Sequence, residues 1–192
     1  MFAVISKFFL CTVWGWKITV PYPKDVKKSI IMVMPHTSYW DFPIGILLRP
    51  IYKLDTYFVA KHQLFWFPMG YLMRAMGGVA VNRYKISRTN SFIDQCAALF
   101  DGKESFKLTI APEGTRNNVK EIKKGFYFIA MKAGVPIVRC KFDWSKKIVA
   151  FSEPFFPTGN YESDLQTIMP FFIGAVGKNP ALTFDFERYK QC

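Results

Sequence analysis

Short apolar runs alternate with longer helical patterns along most of the chain, and that alternation narrows the fold more than any other feature. β-rich runs fall at Ile30–Met34, Tyr57–Ala60, Val79–Asn82, Leu108–Ala111, Ile137–Lys141 and Ile148–Phe151. Between and after them, apolar residues recur at helical spacing over Trp40–Leu48, Leu64–Met76, Thr89–Phe100, Gly125–Ala133 and Ser163–Val176. Alternation of this kind predicts an α/β fold, a largely parallel central sheet flanked by helices. No repeat, low-complexity tract or long linker divides the 192 residues, so a single domain with a sizeable core is expected.

Two of the apolar runs lead directly into polar clusters. Ser29–Pro35 is followed by His36-Thr-Ser-Tyr-Trp-Asp41, and Phe106–Ala111 by Pro112-Glu-Gly-Thr-Arg116. Both clusters read as tips on the ends of buried strands, the place where open α/β sheets bind ligands. Pro35 disfavours helix for Met34, so the strand ends there and His36 opens the turn. Asp41 then falls at the start of the next helix, where the dipole favours a carboxylate. From there it can accept the imidazole Nδ1 proton and leave Nε2 free as a base. The role matches the acid of a serine-protease triad, with the substrate's own hydroxyl as nucleophile. In the second cluster Gly114 permits a sharp turn, and Arg116 offers a planar fork matched to phosphate. Lys61 follows Tyr57–Ala60 and Arg83 follows Val79–Val81, so three strand ends carry a cation, the outline of a phosphate pocket. A base with its orienting acid, beside such a pocket, is what moving an acyl group onto an anionic alcohol requires.

Composition narrows the partners. Lys and Arg number 26 against 14 Asp and Glu, for a formal net charge of +12, which calls for a polyanionic partner. Aromatic residues make up 18% of the chain, but they sit in apolar blocks such as Leu64–Met73 and are not spaced along polar strands. That arrangement favours an anionic membrane surface over nucleic acid, whose binders stack bases on spaced rings. Four scattered cysteines without a C-x-x-C pair read as reduced thiols, and two histidines are too few for a His-rich metal site. No Gly-x-Ser-x-Gly elbow, Walker loop or Gly-x-Gly-x-x-Gly fingerprint is present. At the amino end, Met1–Val20 is aromatic and apolar but interrupted by Lys7 and Lys17, and no small-residue cleavage site precedes Pro21. A spanning helix needs roughly 20 apolar residues. Phe8, Phe9, Leu10, Val13, Trp14 and Trp16 beside lysines suit a helix lying in the membrane interface, or one packed on the domain's own core. The chain is therefore divided into a membrane-interface segment, 1–24, and a catalytic domain, 25–192.

Taken in order, H-x4-D, K-x-x-L with P-x-G and a later Arg, P-E-G-T-R, and Gly134-Val-Pro-Ile-Val138 resemble the motifs of the glycerophospholipid acyltransferase family. The type members of that family are 1-acylglycerol-3-phosphate acyltransferases. The resemblance covers about Ile30 to Lys141. It implies transfer of a fatty acyl group from acyl-CoA or acyl-carrier protein to a lysophospholipid hydroxyl, with 1-acylglycerol 3-phosphate as the leading acceptor and phosphatidic acid as product. It also implies His36 as general base and Asp41 as its partner. Lys61, Arg83, Glu113, Gly114, Thr115 and Arg116 would form the acceptor-phosphate site, and Val135-Pro136 would support it. No metal or cofactor is implied beyond the acyl donor. Three positions depart from the pattern: Pro35 stands where many members have Asn, Gln63 where glutamate is common, and Ala111 where Phe is usual. Relatives with these motifs acylate other lipids, so an amino-acid lipid, a glycolipid or glycerol 3-phosphate is the alternative acceptor. A catalytically inert membrane-binding module is the alternative of another class. The expected location is peripheral or monotopic, on the cytoplasmic face of a membrane.

Overall fold

Strand β2 (Lys28–Met34) explains why the run before His36 is apolar at nearly every position. Successive side chains of a strand point to opposite faces. Ile30, Met32 and Met34 enter one hydrophobic core, and Ile31 and Val33 enter another. A strand covered on both sides, as in parallel sheets between helical layers, cannot alternate with polar residues.

The computed structural model describes residues 2–81 and 91–190, without the side chains of Lys61 and Leu64. Arg83, Asn82 and the expected helix start at Thr89 lie outside the described residues. Around β2 stand β1 (Lys17–Val20), β3 (Thr56–Lys61), β4 (Gly78–Val81), β5 (Phe106–Ile110), β6 (Ile137–Asp143) and β7 (Ile148–Phe151). They form one sheet in the order β1-β7-β6-β2-β5-β3-β4. From β6 across to β4 every pairing is parallel. Strand β7 turns back antiparallel to β6, and β1 lies parallel to β7 at the edge.

Helix α2 (Asp41–Tyr52) and the amino-terminal segment cover one face through Leu10, Trp16, Ile44 and Leu48. The other face is covered by α4 (Phe92–Ala98), α5 (Gly125–Ala133) and α6 (Tyr161–Ile168), through Cys96, Phe126, Ile129, Leu165 and Ile168. Helices α5 and α6 are clasped by a buried bond from Tyr127 Oη to Asp164 Oδ2, 2.7 Å. The chain leaves β2 through α2 toward β3, and leaves β5 through α5 toward β6, on opposite faces of the sheet. The paired strands β2 and β5 are thus a switch point, and the space beyond their carboxyl ends is a binding crevice by construction.

The α/β class, the sheet and its parallel character agree with the sequence. Helix α2 runs on to Tyr52, four residues past the expected Leu48, and three stretches differ more widely from the expected boundaries. The helix expected over Leu64–Met76 is a 3₁₀ turn at His62–Phe65 and a helix α3 at Met69–Ala75, because Pro68 has no N–H for a preceding turn and opens a new one. The stretch expected over Ser163–Val176 starts earlier, at Tyr161, where the Asn160 side chain accepts the Ser163 N–H, and ends at Ile168. A 3₁₀ turn, Met169–Phe172, follows around Pro170. Residues 1–20 are not one helix: α1 (Phe2–Lys7) runs into a π-helical stretch, Phe8–Val13, and Lys17–Val20 become β1.

Candidate active site

Beyond the carboxyl ends of β2 and β5, two loops meet. The loop after β2 carries His36; the loop after β5 carries Glu113 and Arg116. They are joined by a bond from the His36 backbone N–H to Glu113 Oε1, 3.0 Å. Asp41, the first residue of α2, is 3% exposed and turns back so that Oδ2 lies 2.9 Å from His36 Nδ1. A carboxylate only accepts, so the proton between the two groups sits on Nδ1. The same Oδ2 accepts the Ser38 N–H at 3.0 Å, and Oδ1 accepts the Trp144 indole N–H at 2.7 Å. Three donors on one buried carboxylate fix the orientation of the imidazole it holds.

Glu113 is as buried as Asp41, and its Oε2 has no hydrogen-bond partner among the described atoms. Burial raises its carboxyl to about 7; the His36 backbone N–H and imidazole oppose the rise, and Asp41 adds to it. Gly114 takes φ +65°, and a Cβ there would stand 2.7 Å from Lys123 Nζ. The positive φ is what favours glycine at this turn, and a side chain there would also displace the Lys123 ammonium from the backbone. The Arg116 guanidinium lies 3.6 Å from the centroid of the Tyr39 ring. On the other side of the dyad, Asn179 donates through its backbone N–H to Thr37 Oγ1 and through Nδ2 to the Thr37 carbonyl. Close approach there depends on Gly177, where a Cβ would stand 2.4 Å from Thr37 Oγ1.

Two cavities adjoin at His36. One, mostly apolar, runs past Phe42, Gly45, Ile46, Tyr57, Phe58, Met76 and Phe142. The other is bounded by Gly114, Thr115 and Arg116. Both share His36, Val59, Thr109 and Ala111 in their walls. The His36 imidazole thus stands between a mostly apolar cavity, whose wall also includes Arg49, and a recess walled by Arg116.

The structure brings together His36, Asp41, Glu113, Gly114, Thr115 and Arg116 of the residues singled out in the sequence. Lys61 is the last residue of β3, in register with Val81, so its backbone reaches the same edge of the sheet. Arg83 lies outside the described residues. Sequence reasoning missed Trp144, Lys123, Lys178 and the Tyr39–Arg116 stack. Lys178 places its ammonium 4.3 Å from the Trp40 ring centroid and 5.1 Å from that of Trp144. No groups of three or more His, Cys, Asp or Glu capable of holding a metal occur among the described residues.

A mostly parallel α/β sheet with a His–Asp pair and an Arg-bearing turn beyond its switch point defines the class. The model of the family described as Acyltransferase matches residues 17–142, and the chain belongs to that family. Among similar proteins is the human 1-acyl-sn-glycerol-3-phosphate acyltransferase beta, 28% identical over 162 residues, covering 82% of this chain and 57% of that protein. Another is a putative 1-acyl-sn-glycerol-3-phosphate acyltransferase of Caenorhabditis elegans, acl-1, 29% identical over 144 residues, covering 72% of this chain and 53% of that one. The chain spans about half the length of the curated relatives it matches. The fold is shared with the crystal structure of the 1-acyl-sn-glycerophosphate (LPA) acyltransferase PlsC from Thermotoga maritima. That likeness has a TM-score of 0.54 at 21% identity, over 82% of this chain and 68% of that one.

Proposed function

We propose that this chain transfers a fatty acyl group from an acyl thioester, acyl-CoA or acyl-carrier protein, to the free hydroxyl of 1-acylglycerol 3-phosphate. The observation that carries the reading is the His36–Asp41 pair, 2.9 Å apart, standing where an apolar cavity meets a recess walled by Arg116. His36 Nε2 takes the acceptor's hydroxyl proton as the alcohol oxygen attacks the thioester carbonyl carbon. The tetrahedral oxyanion collapses, the C–S bond breaks, and the departing thiolate takes the proton back from Nε2. Asp41 holds the imidazole and stabilises its charge while the proton is on it. The apolar cavity takes the acyl chain, and Arg116 with Lys61 and Arg83 takes the acceptor phosphate. The names of the relatives support this acceptor.

Membrane attachment belongs to the same reading, since both lipid substrates partition into bilayers. No helix among the described residues is long and apolar enough to cross a membrane. The exposed side chains of Phe2, Val4, Phe8, Phe9 and Val13, and of Trp66, Phe67, Tyr71 and Leu72, supply an apolar contact surface of the interfacial kind. Residues Phe9 and Trp14 line a surface groove together with Phe42, Ile46 and Met76, which also wall the apolar cavity. The segment read as 1–24 thus borders the site on the side from which a chain would leave the lipid.

The test is purified protein with palmitoyl-CoA and a panel: 1-acylglycerol 3-phosphate, its dephosphorylated analogue, glycerol 3-phosphate, an amino-acid lipid and a glycolipid, each product scored by mass spectrometry. His36→Ala should lower turnover about 10²–10⁴-fold with the fold retained. Arg116→Ala should raise the KM of the phosphate-bearing acceptor about one to two decades, the value of a charged hydrogen bond of roughly 1.5–3 kcal/mol. Activity of His36→Ala within about threefold of wild type would sink the base. Equal losses by Arg116→Ala on both the phosphorylated and dephosphorylated acceptors would misplace the phosphate site.

A further inference from the structure

Asp41 is held by a donor that no motif of the sequence marks. Trp144 opens the turn between β6 and β7, two residues past the end of the stretch matched by the family model. Its Nε1–H donates to Asp41 Oδ1 at 2.7 Å, while Oδ2 serves His36 Nδ1 and the Ser38 N–H. A carboxylate bound through one oxygen can still swing about its Cβ–Cγ bond. With a donor on each oxygen its plane is fixed, and so is the direction in which it receives the imidazole proton.

Trp144 is itself anchored on several sides. Its backbone N–H donates to the Val176 carbonyl at 2.8 Å. The turn it opens is set by Asp143, whose Oδ1 accepts from the Ser145 N–H and hydroxyl. Its ring meets that of Trp16 edge-on, centroids 4.9 Å apart, and Trp16 is 2% exposed. An indole N–H in a packed setting usually finds some partner; that of the half-buried Trp144 finds the carboxylate that orients the base. Charge-assisted bonds of that kind are roughly twice as strong as neutral ones.

We propose that Trp144 is a positioning residue for acyl transfer, fixing the Asp41 carboxylate and through it the His36 imidazole, with Trp16 as its packing support. The proposal rests on the reading of His36 as the general base. It makes part of the amino-terminal segment a support of the catalytic dyad, whatever that segment also does at a membrane.

The experiment replaces Trp144 with benzothienylalanine, which keeps the ring shape and puts sulfur where the N–H was, and compares it with Trp144→Phe. Because the chain has only two histidines, ¹⁵N-histidine NMR separates His36 from His62 without further editing. In the benzothienylalanine protein the His36 Nδ1–H signal should move while that of His62 stays. Turnover should fall about tenfold, the lower end of what one hydrogen bond to a charged group is worth, with the acceptor KM within twofold. On an Asp41→Ala background, Trp144→Phe should add less than a twofold loss, since a residue acting through the Asp41 carboxylate has nothing left to act on. Wild-type His36 signals and wild-type turnover in the benzothienylalanine protein would overturn the proposal. So would a full tenfold loss added on the Asp41→Ala background. If the wild-type protein acylated no lysolipid at all, the acyl-transfer reading would fall, and the NMR comparison would still decide whether Trp144 positions His36.

Discussion

At the scale of single residues, the least ordinary group is the carboxyl of Glu113, buried with one oxygen on the His36 backbone N–H and the other without a partner among the described residues. Its ordinary value of 4.5 is raised to about 7, chiefly by burial. The sign follows from proton uptake: between those two values the folded chain holds the proton that the unfolded chain has released, so stability falls as pH rises. The loss is complete above about pH 7 and amounts to roughly 3 kcal/mol, at ~1.36 kcal/mol per unit. Glu113→Gln keeps an acceptor for the His36 N–H and removes the titration. Its melting temperature should therefore exceed that of wild type by a margin that grows from pH 5 to pH 8; a margin constant across that range would contradict the buried-acid account. His36 and Asp41 could be paired from the sequence because they are five residues apart on one turn. The bonds from His36 to Glu113 and from Trp144 to Asp41 join residues 77 and 103 positions apart. Such contacts depend on which strands neighbour each other, and strand order leaves no mark in local spacing.

At the scale of elements, the amino-terminal helical stretch has two faces with different surroundings. Leu10 is fully buried against α2 and the sheet, whereas Phe2, Phe8 and Phe9 are 74%, 54% and 46% exposed. Trp14 packs edge-on against Trp40 and belongs to the inner side. Replacing Phe2, Phe8 and Phe9 together with Ser should leave the melting temperature nearly unchanged, weaken flotation with vesicles, and lower activity on membrane-embedded acceptor but not on a short-chain soluble one. If the triple variant floats like wild type, these rings do not contact the bilayer. Helix α5, whose apolar pattern has no competing proline, fell at the expected residues, Gly125–Ala133, and β2, buried on both faces, was legible as a continuous apolar run. Strand β1 was hidden because four residues, Lys17-Ile-Thr-Val20, are too few to show a period beside a longer apolar stretch. In α3 the apolar pattern was real but reflected exposed side chains, among them Tyr71 and Leu72, and not a core face.

At the scale of the whole molecule, a formal net charge of +12 is spread over a surface that also exposes large apolar side chains. Each basic residue near an anionic bilayer contributes about 1 kcal/mol, and the screening length shrinks from about 10 Å at 0.1 M salt to about 3 Å at 1 M. Binding to anionic vesicles should therefore drop steeply between those concentrations, while the weaker binding to neutral vesicles should barely change. Salt-sensitive binding to duplex DNA as tight as to anionic vesicles would favour a nucleic-acid partner instead. The sheet adds something that neither charge nor aromatic content supplies. Its two edges are β1 and β4, four residues each, and β1 carries Lys17 outward. At the β1 edge, a strand this short that bears an exposed lysine is a poor template for adding a strand from another molecule. The exposed apolar side chains of the amino-terminal helix thus stand near a sheet edge that offers another chain little backbone to pair with, so contact between copies there would have to be made by side chains and not by sheet extension.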